Sequence, residues 1–112
     1  MWLPEGLLKF VGYTVGDTAG EDDSTRKQML AAVFDGPIPP VFPREYMLKW
    51  ARPGTPARLR QLAETLAAFA RNAKRREADM SRAVEDWEAD LNFLFHKYYR
   101  GRFGFDWPRT RV

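Results

Sequence analysis

Apolar residues recur at helical spacing through much of the second half of the chain. Leu59, Leu62, Leu66, Phe69 and Ala73 alternate steps of three and four, and Met80, Val84, Trp87, Leu91, Leu94 and Tyr98 continue the alternation. Stripes of this kind line one face of an amphipathic helix. They predict two long helices, over about 56–75 and 80–99. Thr55-Pro56 supplies a start, a capping hydroxyl followed by a proline at the first helical position, where its missing N–H costs nothing. Arg76 falls where the stripe needs an apolar residue, the register slips by one before Val84, and Asp79 and Ser81 are available as caps. A tight turn near 76–80 and an antiparallel helical hairpin are therefore expected. A single long bent helix is the alternative, because no glycine or proline forces the break.

Upstream, Met29, Leu30, Val33 and Phe34 give one apolar face to a helix that Asp23 or Ser24 caps and that runs to about Phe34. Asp35-Gly36-Pro37 stops it, with glycine offering a left-handed position and proline unable to continue. Residues 37–43 read as an extended, polyproline-like connector. Pro43 can open the next helix, which carries Tyr46, Met47 and Trp50 and ends before Pro53-Gly54. Residues 5–16 mix helical spacing (Leu7, Leu8, Val11) with β-favouring Phe10, Tyr13 and Val15, punctuated by Gly12 and Gly16. One or two helical turns followed by an extended Tyr13–Val15 fit that mixture, and Asp17–Asp23 reads as a loop. Gly101 ends the last helix, leaving an irregular aromatic tail.

The fold expected is thus all-α: an antiparallel hairpin of two long helices, with two shorter N-terminal helices and the aromatic C-terminal tail packed on it. Trp50, Leu62, Leu66, Phe69, Val84, Trp87, Leu91 and Leu94 should form its core, with Trp87 deeply buried. The 112 residues fit one small helical domain, either whole in itself or a module of a larger protein or assembly. With 45% hydrophobic and 14% aromatic residues there is enough apolar surface for a core. No apolar run approaches the ~20 residues that span a bilayer, so no membrane partner is expected. The absence of cysteine excludes thiolate metal sites, disulfides and thiol nucleophiles, and a single histidine excludes multi-histidine metal centres. Met1–Glu5 has neither the basic nor the apolar region of a secretory signal, which together with the lack of cysteine points to the cytoplasm. Trp2 and Leu3 at one end and Phe105, Trp107 and Val112 at the other suggest termini docked on the domain.

Charge is segregated along the chain although the net value is only +3. Residues 1–24 carry one base against five acids (−4), and residues 49–82 carry nine bases against three acids (+6). Residues 85–90 carry four acids and no base (−4), and residues 97–112 carry five bases against one acid (+4). Such blocks create local fields that the net count hides.

Few residues offer chemistry. The run Glu85-Asp86-Trp87-Glu88-Ala89-Asp90 places carboxylates three and four apart, a spacing that can hold a divalent cation. No histidine or second motif joins them, so they read mainly as a solvated face beside Trp87, with carboxylate–metal chemistry as the minor reading. His96 has no evident orienting carboxylate, and Ser24 and Ser81 are explained as helix caps. Gly12, Gly16 and Gly20 lack the Gly-Lys-Ser/Thr ending of a phosphate loop and sit among acids that repel phosphate. A non-catalytic protein with no cofactor is the expectation.

The basic segments remain. Arg71, Lys74, Arg75 and Arg76 lie within two turns at the end of one predicted helix, and Arg58 lies near its beginning. The guanidinium fork suits phosphate oxygens. Arg100 and Arg102 belong to a second basic set interleaved with Tyr98, Tyr99, Phe103, Phe105 and Trp107, a mixture that can stack bases and meet phosphates; the plainer role of those aromatics is to fold back as core. The leading expectation is a nucleic-acid-binding module (DNA or RNA), mostly sequence-independent, using Arg58, Arg71, Lys74, Arg75, Arg76, Arg100 and Arg102. The alternative is a protein–protein interaction or assembly module, as a homo-oligomer or a subunit of a larger complex, using apolar helical faces.

Overall fold

In the computed structural model, which describes residues 6–17 and 20–112, the regular elements are α1 (Gly6–Phe10), α2 (Asp23–Asp35), α3 (Arg44–Trp50), α4 (Pro56–Lys74) and α5 (Ser81–Leu94). A π-helical turn, Phe95–Tyr99, continues directly from α5. Among the described residues there is no strand, so the all-α expectation is met. The radius of gyration, 13.7 Å, is close to the ~13 Å of a compact chain this long. None of the helices among the described residues is long and apolar enough to cross a membrane. The expected docking of Trp2 and Leu3, and the middle of the loop after Asp17, lie outside the described residues.

Local chemistry explains most boundaries. Thr55 caps α4 by accepting the Arg58 backbone N–H at 3.2 Å, with Pro56 at the first position. The cap of α2 is Asp22 rather than Asp23 or Ser24: its Oδ1 accepts the Thr25 N–H at 2.7 Å. That hydrogen bond also holds the Asp22 carboxyl below the usual carboxylate range. Pro43 is the residue before α3, not its first. Gly36 is extended (φ −105°) and not left-handed. Glycine is needed there for space, because an added Cβ would sit 2.7 Å from the Ala32 carbonyl oxygen. The helices predicted over 56–75 and 80–99 break between Lys74 and Ser81, where Asp79 Oδ1 accepts the Ser81 N–H at 3.0 Å.

The core lies where α4 meets α5 and α2. Leu30, Leu59, Leu62, Leu66 and Leu94 are fully buried, with Trp50 and Phe34 beside them. Alanine does as much as leucine on α4, where Ala63, Ala67 and Ala70 are also fully buried and let neighbouring helices approach closely. Phe69, Val84 and Trp87 are half-buried rather than central, with Phe69 and Trp87 packed against the core. The deep burial expected of Trp87 does not occur, since its ring meets Phe69 (5.7 Å between centroids) at the edge of the α4–α5 contact. Fully buried Trp50 takes the central place instead.

The π-helical turn has a direct effect on the tail. The Arg100 N–H bonds back to the Phe95 carbonyl at 2.9 Å, five residues away, which adds a residue to that turn. Tyr98 then points inward against Phe34 (4.3 Å), while Phe95 and Tyr99 meet Trp107 at 5.5 and 4.8 Å. Phe103, Phe105 and Trp107 are half-buried against the core.

Candidate nucleic-acid interface

Arg58 belongs to the interior. Only 1% of it is exposed, and its guanidinium donates to four backbone carbonyls. Nε reaches Trp50 O at 2.6 Å, Nη1 reaches Val33 O at 2.6 Å and Gly36 O at 2.8 Å, and Nη2 reaches Ala51 O at 2.9 Å. These carbonyls end α2 and α3, where helices leave acceptors unpaired and carry partial negative charge. Arg58 thus fastens two helix C-termini to the start of α4. One of its acceptors, Ala51, takes a left-handed φ of +56°, a conformation that costs a non-glycine residue energy. Burial pushes the arginine pKa down, from a starting value so high that the charge survives. Arg58 therefore leaves the phosphate-binding set: it is buried, and four of its five N–H donors are already engaged.

The acidic run on α5 also departs from expectation. Asp90 is fully buried and Asp86 nearly so, and neither belongs to a solvated face. Arg26 of α2, 4% exposed, bonds Asp90 bidentately, Nε to Oδ2 at 2.8 Å and Nη2 to Oδ1 at 3.2 Å. Tyr13 Oη donates to Asp90 Oδ2 at 2.7 Å, and the Gly16 N–H donates to Asp86 Oδ2 at 2.9 Å. Arg26 Nη1 completes the set at Glu21 O (2.9 Å). Burial opposes the Arg26 charge, but the hydrogen bonds and charge of Asp90 outweigh it and raise its pKa. These carboxylates tie the N-terminal segment and α2 to α5. Among the described residues no three His, Cys, Asp or Glu side chains are grouped so as to hold a metal ion.

The other predicted cations lie at the surface. Arg75 and Arg76 are exposed just beyond α4, and Arg100 and Arg102 are exposed after the π-helical turn. Arg102 lies over the Phe103 ring at 5.5 Å. Arg71 and Lys74 are engaged by the tail: Arg71 Nη1 donates to Arg109 O, and Lys74 Nζ donates to Thr110 O at 2.9 Å. Lys74 also pairs with Glu88 Oε2 at 2.9 Å, and the Thr110 hydroxyl donates to the same oxygen. The Thr110 hydrogen bond, with Lys74 behind it, holds the Glu88 carboxyl below its usual range against an opposing effect of partial burial.

These contacts set Arg109 and Thr110 beside the end of α4. The two basic segments, 71–76 and 97–111, lie 21 residues apart in the sequence, and the contacts of Arg71 and Lys74 bring the second back against the first. Of the bases of residues 97–112, the sequence points to Arg100 and Arg102 as site residues, and Arg109 and Arg111 complete the set. A cleft of about 390 Å³ opens beside them, between α5 and the tail, lined by Leu91, Asn92, Phe95, Trp107 and Pro108 among others. A second groove holds exposed His96 near Phe93, with Lys27 and Lys97 at 5.5 and 5.8 Å from the Phe93 ring centre. No family model matches the chain, and neither does any curated protein or solved structure.

Proposed function

We propose that the protein is a non-catalytic nucleic-acid-binding module whose phosphate contacts come from the surface shared by the end of α4 and the tail. Arg71, Lys74, Arg75, Arg76, Arg109 and Arg111 form it, with Arg100 and Arg102 as a second basic arm. The observation that carries the reading is the pair of hydrogen bonds from Arg71 and Lys74 to the Arg109 and Thr110 carbonyls, which join two basic segments. Arg71 uses one of its five N–H donors in this way and keeps the rest. An antiparallel hairpin of α4 and α5 is the scaffold we propose beneath this surface, supported by the Phe69–Trp87 contact and the short break between the helices. A cytoplasmic location belongs to the same proposal.

Fluorescence anisotropy with labelled oligonucleotides at low and physiological salt tests it. Affinity should fall steeply with salt, each neutralised phosphate adding about 0.7–0.9 to the logarithmic slope. Substituting Arg75, Arg76, Arg109 and Arg111 together by alanine should remove binding and leave the circular dichroism unchanged. No binding by the parent at low salt would overturn the reading.

Assembly through an apolar face is the second reading, favoured by the exposure of Phe10 (47%), Val41 (44%) and Leu48 (64%), with Phe10 packed edge-on against Phe42. Sedimentation of the parent and a Phe10→Ser/Leu48→Ser variant tests its homo-oligomeric form: a salt-insensitive oligomer lost in the variant supports it, and a monomeric parent overturns self-assembly through this face.

A further inference from the structure

The cleft between α5 and the tail has a composition that phosphate binding alone does not require. Leu91 is buried, and Phe95, Trp107 and Pro108 are half-buried, so its floor is apolar and partly aromatic. Its rim carries the exposed arginines Arg109 and Arg111 and the exposed amide of Asn92. Glu88, the acid in the lining, is already held by Lys74 and Thr110, so its charge is countered locally. At about 390 Å³ the space falls in the lower part of the ~300–1,000 Å³ range of small-ligand sites.

Resting on the nucleic-acid reading, we infer that this cleft seats one unpaired nucleobase and so selects single strands over duplexes. A flat, weakly polar face on an aromatic floor gains dispersion and excludes water, and every base has such a face. The adjoining phosphates then meet Arg109 and Arg111. A duplex cannot enter, because its bases are stacked and paired inside it. The Asn92 amide offers both donor and acceptor to a base edge, so the seat accepts more than one base. Trp107 is held by ring contacts with Tyr99 and Phe105, at 4.8 and 6.1 Å, so it is oriented before any ligand arrives.

The test uses the full chain and four labelled oligonucleotides of equal length: single-stranded DNA, single-stranded RNA, duplex DNA and an abasic single strand with the same phosphates. Base-bearing single strands, DNA or RNA, should bind at least about tenfold more tightly than the abasic strand, the scale expected for stacking one base. Asn92→Leu, which narrows the cleft from an exposed position with a side chain that can neither stack on nor hydrogen-bond a base, should bring single-strand affinity down towards the abasic level. The parent's tryptophan emission should be quenched by base-bearing strands and not by the abasic one, a readout that needs no variant. Equal binding of base-bearing and abasic strands overturns the base seat and leaves the phosphate surface standing. Absence of binding to all four at low salt overturns both.

Discussion

Arg26 and Asp90, 64 residues apart, meet as a bidentate pair inside the protein, with Nε–Oδ2 at 2.8 Å and Nη2–Oδ1 at 3.2 Å. Both side chains are almost wholly removed from water, at 4% and 0% exposure. Desolvation of two charges is costly, and their attraction offsets it only because the geometry is good and further hydrogen bonds join it, from the Tyr13 hydroxyl to Asp90 and from Arg26 Nη1 to the Glu21 carbonyl. Asp90→Ala removes the partner and leaves a buried guanidinium, and should cost about 3–5 kcal/mol in urea denaturation. Pairing Arg26→Met with Asp90→Leu removes both charges and should recover a large part of that loss. An Asp90→Ala protein within about 0.5 kcal/mol of the parent would show that the pair does not support the fold.

Arg58 should be irreplaceable by lysine. Four carbonyls face it from three directions, and an ammonium has three donors on one atom and cannot fork. Arg58→Lys should lose at least about 2 kcal/mol, and Arg58→Met more, because each stranded buried carbonyl costs about 1–3 kcal/mol. Thermal unfolding of the two variants checks the order. If Arg58→Lys unfolds with the parent, the clamp is not what holds the ends of α2 and α3.

Tyr13 predicts the behaviour in base. Burial, then the charge and hydrogen bond of Asp90, push its phenol far above the usual value near ~10. Above that pH the unfolded chain gives up the proton while the folded chain keeps it, so the unfolded state binds fewer protons and stability falls as pH rises. The contribution is whole below about pH 10 and is lost progressively above it. Tyr98, raised by its own burial and by Asp35, acts with the same sign. Tyr13→Phe should flatten the alkaline limb of a stability–pH curve, and tyrosinate absorbance from Tyr13 should appear only with the loss of helical circular dichroism. An unchanged slope in that variant would refute the account.

The helices were legible because apolar spacing and caps are local. Leu59, Leu62 and Leu66 lie on the buried side of α4, and Thr55-Pro56 starts it. The interior charges were not legible for the opposite reason. Arginine and aspartate are ordinarily surface residues, and the partners of Arg26 and Arg58 come from segments that nothing in the sequence brings together. One signal was present: Ala83, Asp86, Asp90 and Leu94 share a helical face, so the carboxylates stood in line with buried positions. Arg58 likewise stands one residue before Leu59 and four before Leu62, on the inward edge of the stripe. Trp87 keeps the helical spacing of a core residue but meets Phe69 while half-buried, as a large ring at the rim of the α4–α5 contact does.

The π-helical turn at Phe95–Tyr99 makes the tail sensitive to chain length. One residue advances an α-helix by about 100°. A single-residue deletion between Phe95 and Tyr99 that restored α-helical bonding would therefore rotate everything after it by more than a quarter turn. Trp107 would lose its place against Phe95 and Tyr99, and Arg109 and Thr110 would no longer lie under Arg71 and Lys74. Substitutions along 100–112 can be absorbed one side chain at a time, whereas a codon lost from this turn displaces the whole segment.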